Sequence, residues 1–144
     1  MSATLERQNN FIIYTDGGAR GNPGPAAIGF VIYKIGHDGS MNEVMRRGEV
    51  IGETTNNQAE YRAVIHALET VLTFQPERVE LRLDSELVGK QLTGEYRVKD
   101  RLLQPQFVRV KHLEQMIPSI QYSIIRRELN KEADREVNTA LDRN

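Results

Sequence analysis

The sequence predicts an α/β protein with a mixed β-sheet flanked by helices. The first third of the chain carries three β-branched and aromatic stretches separated by short turns, a pattern typical of an antiparallel meander. Beyond residue 56 the hydrophobic period changes to three and four residues, and helical and extended patterns then alternate. A strand–helix–strand unit after a meander indicates parallel strands beside antiparallel ones, with helices packed on the sheet.

The antiparallel part of the sheet is predicted from three segments. These are "FIIYTD" (11–16), "AAIGFVIYKIG" (26–36) and "EVMRRGEVIG" (43–52), all rich in strand-forming residues. "HDGS" (37–40) separates the second from the third and is a turn, because Asp, Gly and Ser favour turn conformations.

A first helix is predicted over residues 57–74. Its apolar residues recur at intervals of three and four, as Ala63, Val64, Ala67, Leu68, Val71 and Leu72. The same two periods assign the rest of the chain: a strand over 78–84, a short helix over 85–94, a helix over 104–117 with Pro105 near its start, a strand over 119–127, and a helix over 130–142 capped by Asn130.

The length of 144 residues fits a single domain. No internal repeat, low-complexity segment or linker divides the chain. Residues 1–10 are polar and are expected to form a loose N-terminal tail, and residues 11–144 are expected to form the single domain.

The composition excludes several classes of function. With no cysteine, the chain has no disulfide, zinc–thiolate site or thiol nucleophile. The net charge of −1 gives no general attraction for a polyanion, although a local patch can still bind one. No apolar run approaches the length of a membrane span and no signal-peptide pattern is present, so we expect a cytoplasmic monomer with no membrane contact.

Two aspartates are predicted to end strands. Asp16 closes "FIIYTD" and Asp84 closes "RVELRLD". Asp16 could simply begin a turn, and Asp84 could be the N-cap of the helix that follows. However, the carboxyl edge of strands is also where α/β folds place their ligands.

Two further acids lie near helix starts. Glu60 could close a capping box with Asn57, and Asp134 could be a surface acid that suits the helix dipole. Both also lead apolar stripes that should face the core, where a carboxylate needs a partner or a cation. If all four acids converge, divalent cations are needed to offset their repulsion, and oxygen ligands suit Mg²⁺ or Mn²⁺.

Four segments resemble the motifs of type 1 ribonuclease H (RNase HI), over roughly residues 11–142. They are "YTDGGARGNPGPAAIGFVIY", "TTNNQAEYRAVIHALE", "LRLDSELV" and "NKEADREVNTAL". Each is a weak signal alone, but four in order at fitting separations are specific. The resemblance implies a ribonuclease H-like fold, with a five-stranded mixed sheet flanked by helices. It also implies endonucleolytic cleavage of the RNA strand of RNA/DNA hybrids.

The resemblance extends to the catalytic machinery. Carried over by motif, the metal-binding carboxylates are Asp16, Glu60, Asp84 and Asp134. In this family's mechanism, two Mg²⁺ ions, or Mn²⁺, hold the scissile phosphate and activate a water. The products carry 5′-phosphate and 3′-hydroxyl ends.

The substrate contacts implied by the resemblance fall in three places. Gly17, Gly18, Ala19 and Asn22 would approach the RNA minor groove, where glycines let backbone come close. Thr55 would contact a phosphate of the DNA strand, and Ser85 would lie near the scissile site. Sugars and base edges would be bound by Asn56, Asn57 and Gln58.

The chain departs from the family pattern in two respects. Many members carry a histidine before the last motif, but here that segment reads "IIRRELNKEAD". Arg127 is the candidate replacement and Glu128 the second, although a solvated basic strand end is the simpler interpretation of Arg127. Arginine cannot act as a base, but it could bind a phosphate. The basic protrusion of some members is also absent, which indicates a compact form.

The sequence leaves three alternatives open. A broader nuclease could also cut double-stranded RNA, since that duplex also displays 2′-hydroxyls. A non-catalytic module could bind hybrids without cutting them. The four acids could also be only caps and dipole partners in a structural domain.

Overall fold

The structure is a computed structural model that describes residues 9–144. In this range the chain forms five strands, four α-helices and one turn of 3-10 helix. The strands are β1 Asn10–Ala19, β2 Gly24–Ile35, β3 Met41–Thr54, β4 Arg78–Leu83 and β5 Ser119–Ile124. The helices are α1 Asn56–Leu72, α2 Glu86–Leu92, α3 Gln104–Glu114 and α4 Lys131–Arg143, with the 3-10 turn at Arg127–Leu129.

The five strands form one mixed sheet in the order β3-β2-β1-β4-β5. β1 pairs antiparallel with β2, and β2 pairs antiparallel with β3. β4 pairs parallel with β1 on one side and with β5 on the other. The predicted α/β fold, with a meander followed by parallel strands, is confirmed.

Helices α1, α2 and α3 enclose the main core against one face of the sheet. Tyr61 of α1 is fully buried there, and its hydroxyl donates to Gln91 Oε1 of α2 at 2.6 Å. This bond supplies the partner that a buried hydroxyl needs. The core side chains around it include Ile13, Phe30, Ile32, Val64, Leu68, Leu81 and Leu113.

Helix α4 lies on the opposite face, over the meander. Gly29 of β2 and Gly48 of β3 are paired with each other beneath it. A Cβ on Gly29 would lie 2.5 Å from the Ala133 carbonyl oxygen, and one on Gly48 would collide with the Glu136 carbonyl. The paired glycines therefore let the helix backbone lie directly on the sheet.

One arginine holds α4 to the edge strand. Arg46 of β3 donates to Glu132 at 2.8 Å and to Glu136 at 3.2 Å, and both acceptors belong to α4. It also donates to Glu43 on its own strand. Such a shared, partly buried guanidinium fixes the helix more firmly than one surface ion pair would.

Several boundaries differ from the predicted ones. β1 begins at Asn10, and the Asn9 carbonyl accepts from the amides of Glu77 and Arg78, so these two asparagines are held in place. The other eight residues of the predicted tail lie outside the described range. β5 ends at Ile124 rather than residue 127, because its parallel partner β4 ends at Leu83. Among residues 9–144, no helix is long and apolar enough to cross a membrane.

Replacing Gly29 by alanine should destabilise the protein, because the new methyl group would push α4 off the sheet. We expect Gly29→Ala to lower the free energy of unfolding by about 1–3 kcal/mol, the usual cost of overpacking. Gly18→Ala is the matched control, since a Cβ there would meet its nearest atoms only at 3.9 and 4.0 Å. Urea unfolding measures both. Equal effects of the two variants would contradict the close packing of α4.

Candidate active site

Asp16 and Asp84 lie beside each other where two parallel strands separate. The last parallel pair of β1 and β4 is Tyr14 with Arg82, and each aspartate lies two residues beyond it. The same register puts both on one face of the sheet. β1 itself continues to Ala19, paired with β2. The prediction that Asp16 ends its strand is therefore wrong, because Asp16 marks the end of pairing with β4 only.

Glu60 reaches the same place from the first turns of α1. Thr55 is the N-cap of this helix, so the capping box considered for Asn57 and Glu60 is wrong. Instead the carboxylate turns toward β1, where the Gly17 amide donates to Glu60 Oε1 at 3.1 Å. A Cβ on Gly17 would collide with the α1 backbone, so glycine is what allows the helix this close.

Asp134 approaches the site from the opposite face of the sheet. Gly29 is paired directly with Asp16, and the Ala133 carbonyl lies over Gly29. Because α4 packs closely on β2 at Gly29, the residue after Ala133, Asp134, lies near Asp16. Asp134 is exposed, and it does not belong to the tight group formed by the other three carboxylates.

The carboxyl groups of the site are strongly perturbed. Burial raises the pKa of Asp16 from 3.8 to about 8, and the charges of Asp84 and Asp134 add to the effect. Desolvation likewise raises the pKa of Glu60, again with repulsion from Asp16 and Asp84. The Gly17 amide and the charge of Arg127 lower the Glu60 pKa only in part. Both carboxyls therefore resist ionisation unless positive charge is supplied.

Asp16, Glu60 and Asp84 form a group that could hold a metal ion. Each offers a carboxylate oxygen, and these oxygens lie within 4.8 Å of one another. Three acids this close repel each other, and an all-oxygen donor set suits a hard divalent cation. The residues therefore fit the metal that the sequence predicts.

The carboxylates lie in a cleft of about 540 Å³. Most of the predicted substrate-binding residues line it, and the structure brings these together: Gly17, Gly18, Ala19, Asn56, Asn57 and Ser85. The lining does not include three of the predicted residues. Thr55 and Gln58 are next in the chain to lining residues, and Asn22 is hydrogen-bonded to the lining residue Asn56.

The side-chain oxygens of Asn22 and Asn56 connect the glycine-rich turn after β1 with the start of α1. The Asn56 amide nitrogen of the backbone donates to Asn22 Oδ1 at 3.0 Å. In return, the Ala19 backbone amide donates to Asn56 Oδ1 at 2.8 Å. These two bonds fix the glycine-rich turn after β1 against the start of α1.

Two of the predicted contact residues are also helix caps. Thr55 accepts from the Gln58 amide at 3.3 Å, and Ser85 accepts from the Val88 amide at 3.2 Å. Ser85, not Asp84, is thus the N-cap of α2, which leaves the Asp84 carboxylate to the site. A capping hydroxyl still has its proton to donate, so the cap does not exclude a ligand contact.

The structure places Arg127 and Glu128 on different surfaces. Arg127 lines the cleft with the acids, and Glu128 lines a separate groove beside Tyr14 and Leu129. The chain has three histidines, which are His37, His66 and His112. None of them lines the cleft, in agreement with the prediction that they lie elsewhere.

Sequence reasoning missed three residues near the acids. Asn130 was predicted to cap α4, but its side chain makes no capping bond and instead donates to Asp84 Oδ2 at 2.8 Å. Asn138 lines the cleft one helical turn after Asp134, a spacing that could have revealed it. Arg20 also lines the cleft, within the turn already noted for its glycines.

A family model described as RNase H matches residues 8–139, nearly the whole chain. The chain belongs to the RNase H family. Its five-stranded mixed sheet flanked by helices is the fold that the sequence resemblance implied.

Similar proteins agree with this assignment. The ribonuclease HI of Halobacterium salinarum is 44% identical over 129 residues, which is 90% of this chain. The crystal structure of RNase H1 from the same archaeon superposes with a TM-score of 0.86, covering 94% of this chain and 99% of that one. An RNase H1 isolated from compost, solved in complex with an RNA/DNA hybrid, gives a TM-score of 0.84 at 45% identity, covering 92% and 97%.

This RNase H chain spans only part of its curated relatives. The match covers 63% of the Halobacterium ribonuclease HI. It covers 35% of a bifunctional protein of Mycobacterium tuberculosis, at 36% identity over 131 residues. Those relatives therefore contain further sequence that this match does not include.

The raised Asp16 pKa predicts a pH-dependent stability in metal-free protein. The folded state keeps this proton up to about pH 8, whereas the unfolded chain loses it near 3.8. The free energy of unfolding should therefore fall as the pH rises between these values. Asp16→Asn has no proton to lose, so at pH 8 it should be more stable than the wild type, by on the order of 2–5 kcal/mol.

Urea unfolding with a chelator present, from pH 4 to pH 8, measures this effect. Glu49→Gln, at an exposed position on β3, is the control and should follow the wild-type curve. An Asp16→Asn curve parallel to the wild type across this range would contradict the buried, raised carboxyl.

Proposed function

We propose that this protein is a metal-dependent ribonuclease H that hydrolyses the RNA strand of RNA/DNA hybrids. The observation that carries the proposal is the carboxylate group of Asp16, Glu60 and Asp84 at the base of an open cleft. Family membership supports the same reaction, since the motifs that define the resemblance are those that build this cleft. The products would carry 5′-phosphate and 3′-hydroxyl ends.

The substrate proposal draws on the relatives. The Halobacterium protein is named ribonuclease HI, and the compost RNase H1 was solved with an RNA/DNA hybrid. Both cover nine-tenths or more of this chain at over 40% identity. A hybrid is therefore the proposed partner of this cleft.

The metal ligands would be Asp16, Glu60 and Asp84, with Asp134 joining them from α4. Mg²⁺ is the proposed metal, Mn²⁺ the alternative, and two ions the proposed number. Such ions would supply Lewis-acid stabilisation of the developing charge and lower the pKa of a bound water. The protein itself would position the four carboxylates. The Gly17 amide donates to Glu60, and the backbones of α1 and α4 pack closely on glycines of the sheet.

The rest of the cleft would hold the duplex. Gly17, Gly18 and Ala19 would present backbone to the RNA minor groove, where 2′-hydroxyls distinguish RNA from DNA. The remaining contacts are proposed as follows: Asn22, Asn56, Asn57 and Gln58 to sugars and base edges, Thr55 to a DNA phosphate, and Ser85 beside the scissile phosphate.

Arg127 is proposed to bind a phosphate of the substrate. Arg127 lines the cleft, and its positive charge lowers the pKa of Glu60, so the guanidinium lies near the acids. A guanidinium cannot serve as a general base, but its fork of donors suits phosphate oxygens. Arg127 would thus bind substrate where many relatives carry a histidine, without taking over proton transfer.

Asp84→Asn tests the proposed reaction. It keeps the side-chain shape but removes a charge from the metal site, so cleavage of a labelled hybrid in Mg²⁺ should fall about 1,000-fold or more, equivalent to ~4 kcal/mol of transition-state stabilisation. The control is Asp38→Asn in the turn between β2 and β3, which should keep full activity. Unchanged cleavage by Asp84→Asn would support a purely structural role for the acids.

The same assay separates the alternative functions. A wild-type protein that binds hybrid in Mg²⁺ and Mn²⁺ but leaves it intact would be a non-catalytic binding module. A hybrid and an RNA duplex both present 2′-hydroxyls in a wide minor groove, so discrimination between them must come from the DNA strand. Equal cleavage rates on the two duplexes, made with the same sequence, would contradict strict hybrid specificity.

Arg127→Ala tests the phosphate contact. Loss of one charge-assisted bond should raise KM for the hybrid about 10-fold while kcat changes little. Arg126→Ala is the matched control, since Arg126 is the neighbouring arginine but does not line the cleft. If the two variants gave the same KM, Arg127 would be only a solvated basic residue.

A further inference from the structure

Asn130 is a fully buried polar residue at the start of α4. Its side chain has 0% relative exposure, like the apolar core beneath it. Burying an amide is unfavourable unless its groups are hydrogen-bonded. The bonds that it makes therefore indicate what it does.

The amide nitrogen of Asn130 joins two of the acid-bearing strands. Nδ2 donates to Asp84 Oδ2 at 2.8 Å and to the backbone carbonyl of Thr15 at 2.8 Å. Thr15 immediately precedes Asp16. One buried nitrogen thus links β1 to the residue that follows β4, just beyond the point where the two strands stop pairing.

The backbone of Asn130 connects the third acid-bearing element. Its carbonyl accepts from the Asp134 amide at 3.2 Å, which starts the hydrogen bonding of α4. Asn130 Oδ1 has no protein partner among residues 9–144, so both side-chain bonds run through Nδ2. A residue serving only as a helix cap would use its oxygen instead.

We propose that Asn130 is the positioning residue of the metal site, setting the orientation of the Asp84 carboxylate relative to Asp16. This inference rests on the proposed metal role of the cluster. A neutral amide is suited to the task, because it holds one oxygen of the carboxylate without neutralising its charge. A lysine or arginine at the same place would compete with the cation. Groups that orient metal ligands in this way commonly change metal affinity 10–100-fold when removed.

Metal titration of the purified protein tests the proposal. Mg²⁺ and Mn²⁺ binding is measured by calorimetry without nucleic acid, for the wild type, Asn130→Ala and Asn130→Leu. Leucine approximates the shape of asparagine but cannot donate. Both variants should bind metal at least 10-fold more weakly. In hybrid cleavage their kcat should recover at raised metal concentration, and KM for the hybrid should stay near the wild-type value.

Val79→Ala is the control for general destabilisation. Val79 is fully buried in β4, five residues before Asp84, and its side chain belongs to the main core. Val79→Ala should lower stability yet keep wild-type metal affinity. Wild-type metal affinity in both Asn130 variants would overturn the proposal, as would an equal loss of affinity in Val79→Ala.

A measurement on wild-type protein covers the case in which the Asn130 variants do not fold. The side-chain amide protons of Asn130 should exchange with solvent far more slowly than those of exposed Asn42 in NMR spectra, and should shift when metal is added. Fast exchange and no shift would overturn the proposal. A wild type that binds metal but does not cleave hybrid would contradict the proposed function while leaving the role of Asn130 standing.

Discussion

The close packing of helix backbone on glycine is the constraint on which the site depends. α1 lies on Gly17 and α4 lies on Gly29 and Gly48, at distances that no Cβ would permit. These contacts come from opposite faces of the sheet. Because of them, Glu60 and Asp134 both reach Asp16, whose own position is fixed by strand pairing. The glycines are therefore as much a part of the site's construction as the acids are.

Gathering carboxylates in this way places function in conflict with stability. Burial and mutual repulsion hold Asp16 and Glu60 away from their ordinary pKa values, and only one amide and one arginine act in the opposite direction. Charge left uncompensated in a desolvated place is what gives such a site affinity for a cation. The rest of the domain offsets the cost, through its apolar core and through the Arg46 contacts that hold α4.

Local patterns were enough to predict the order of strands and helices, since each pattern reports its own period. The motifs also identified the acids, because the resemblance is carried by short segments. Contacts between distant segments could not be read in this way. The register that ends β1–β4 pairing at Tyr14, the turn of Glu60 toward Gly17, and the bond from Asn130 to Thr15, 115 residues away, all depend on tertiary packing. Asn130 illustrates the limit: its helix-start position was predicted, but its side-chain partners were not.

The backbone bonds accepted by the side chains of Asn22 and Asn56 have a consequence for the contacts proposed for them. The side-chain oxygen of each residue accepts a hydrogen bond from a backbone amide. Among residues 9–144, neither side-chain nitrogen donates to an acceptor. Each amide nitrogen therefore keeps its hydrogens to donate, whereas one lone pair of each oxygen is already engaged. The proposed substrate contacts of Asn22 and Asn56 would then be chiefly donor contacts, to an acceptor such as a ribose hydroxyl oxygen or a base carbonyl.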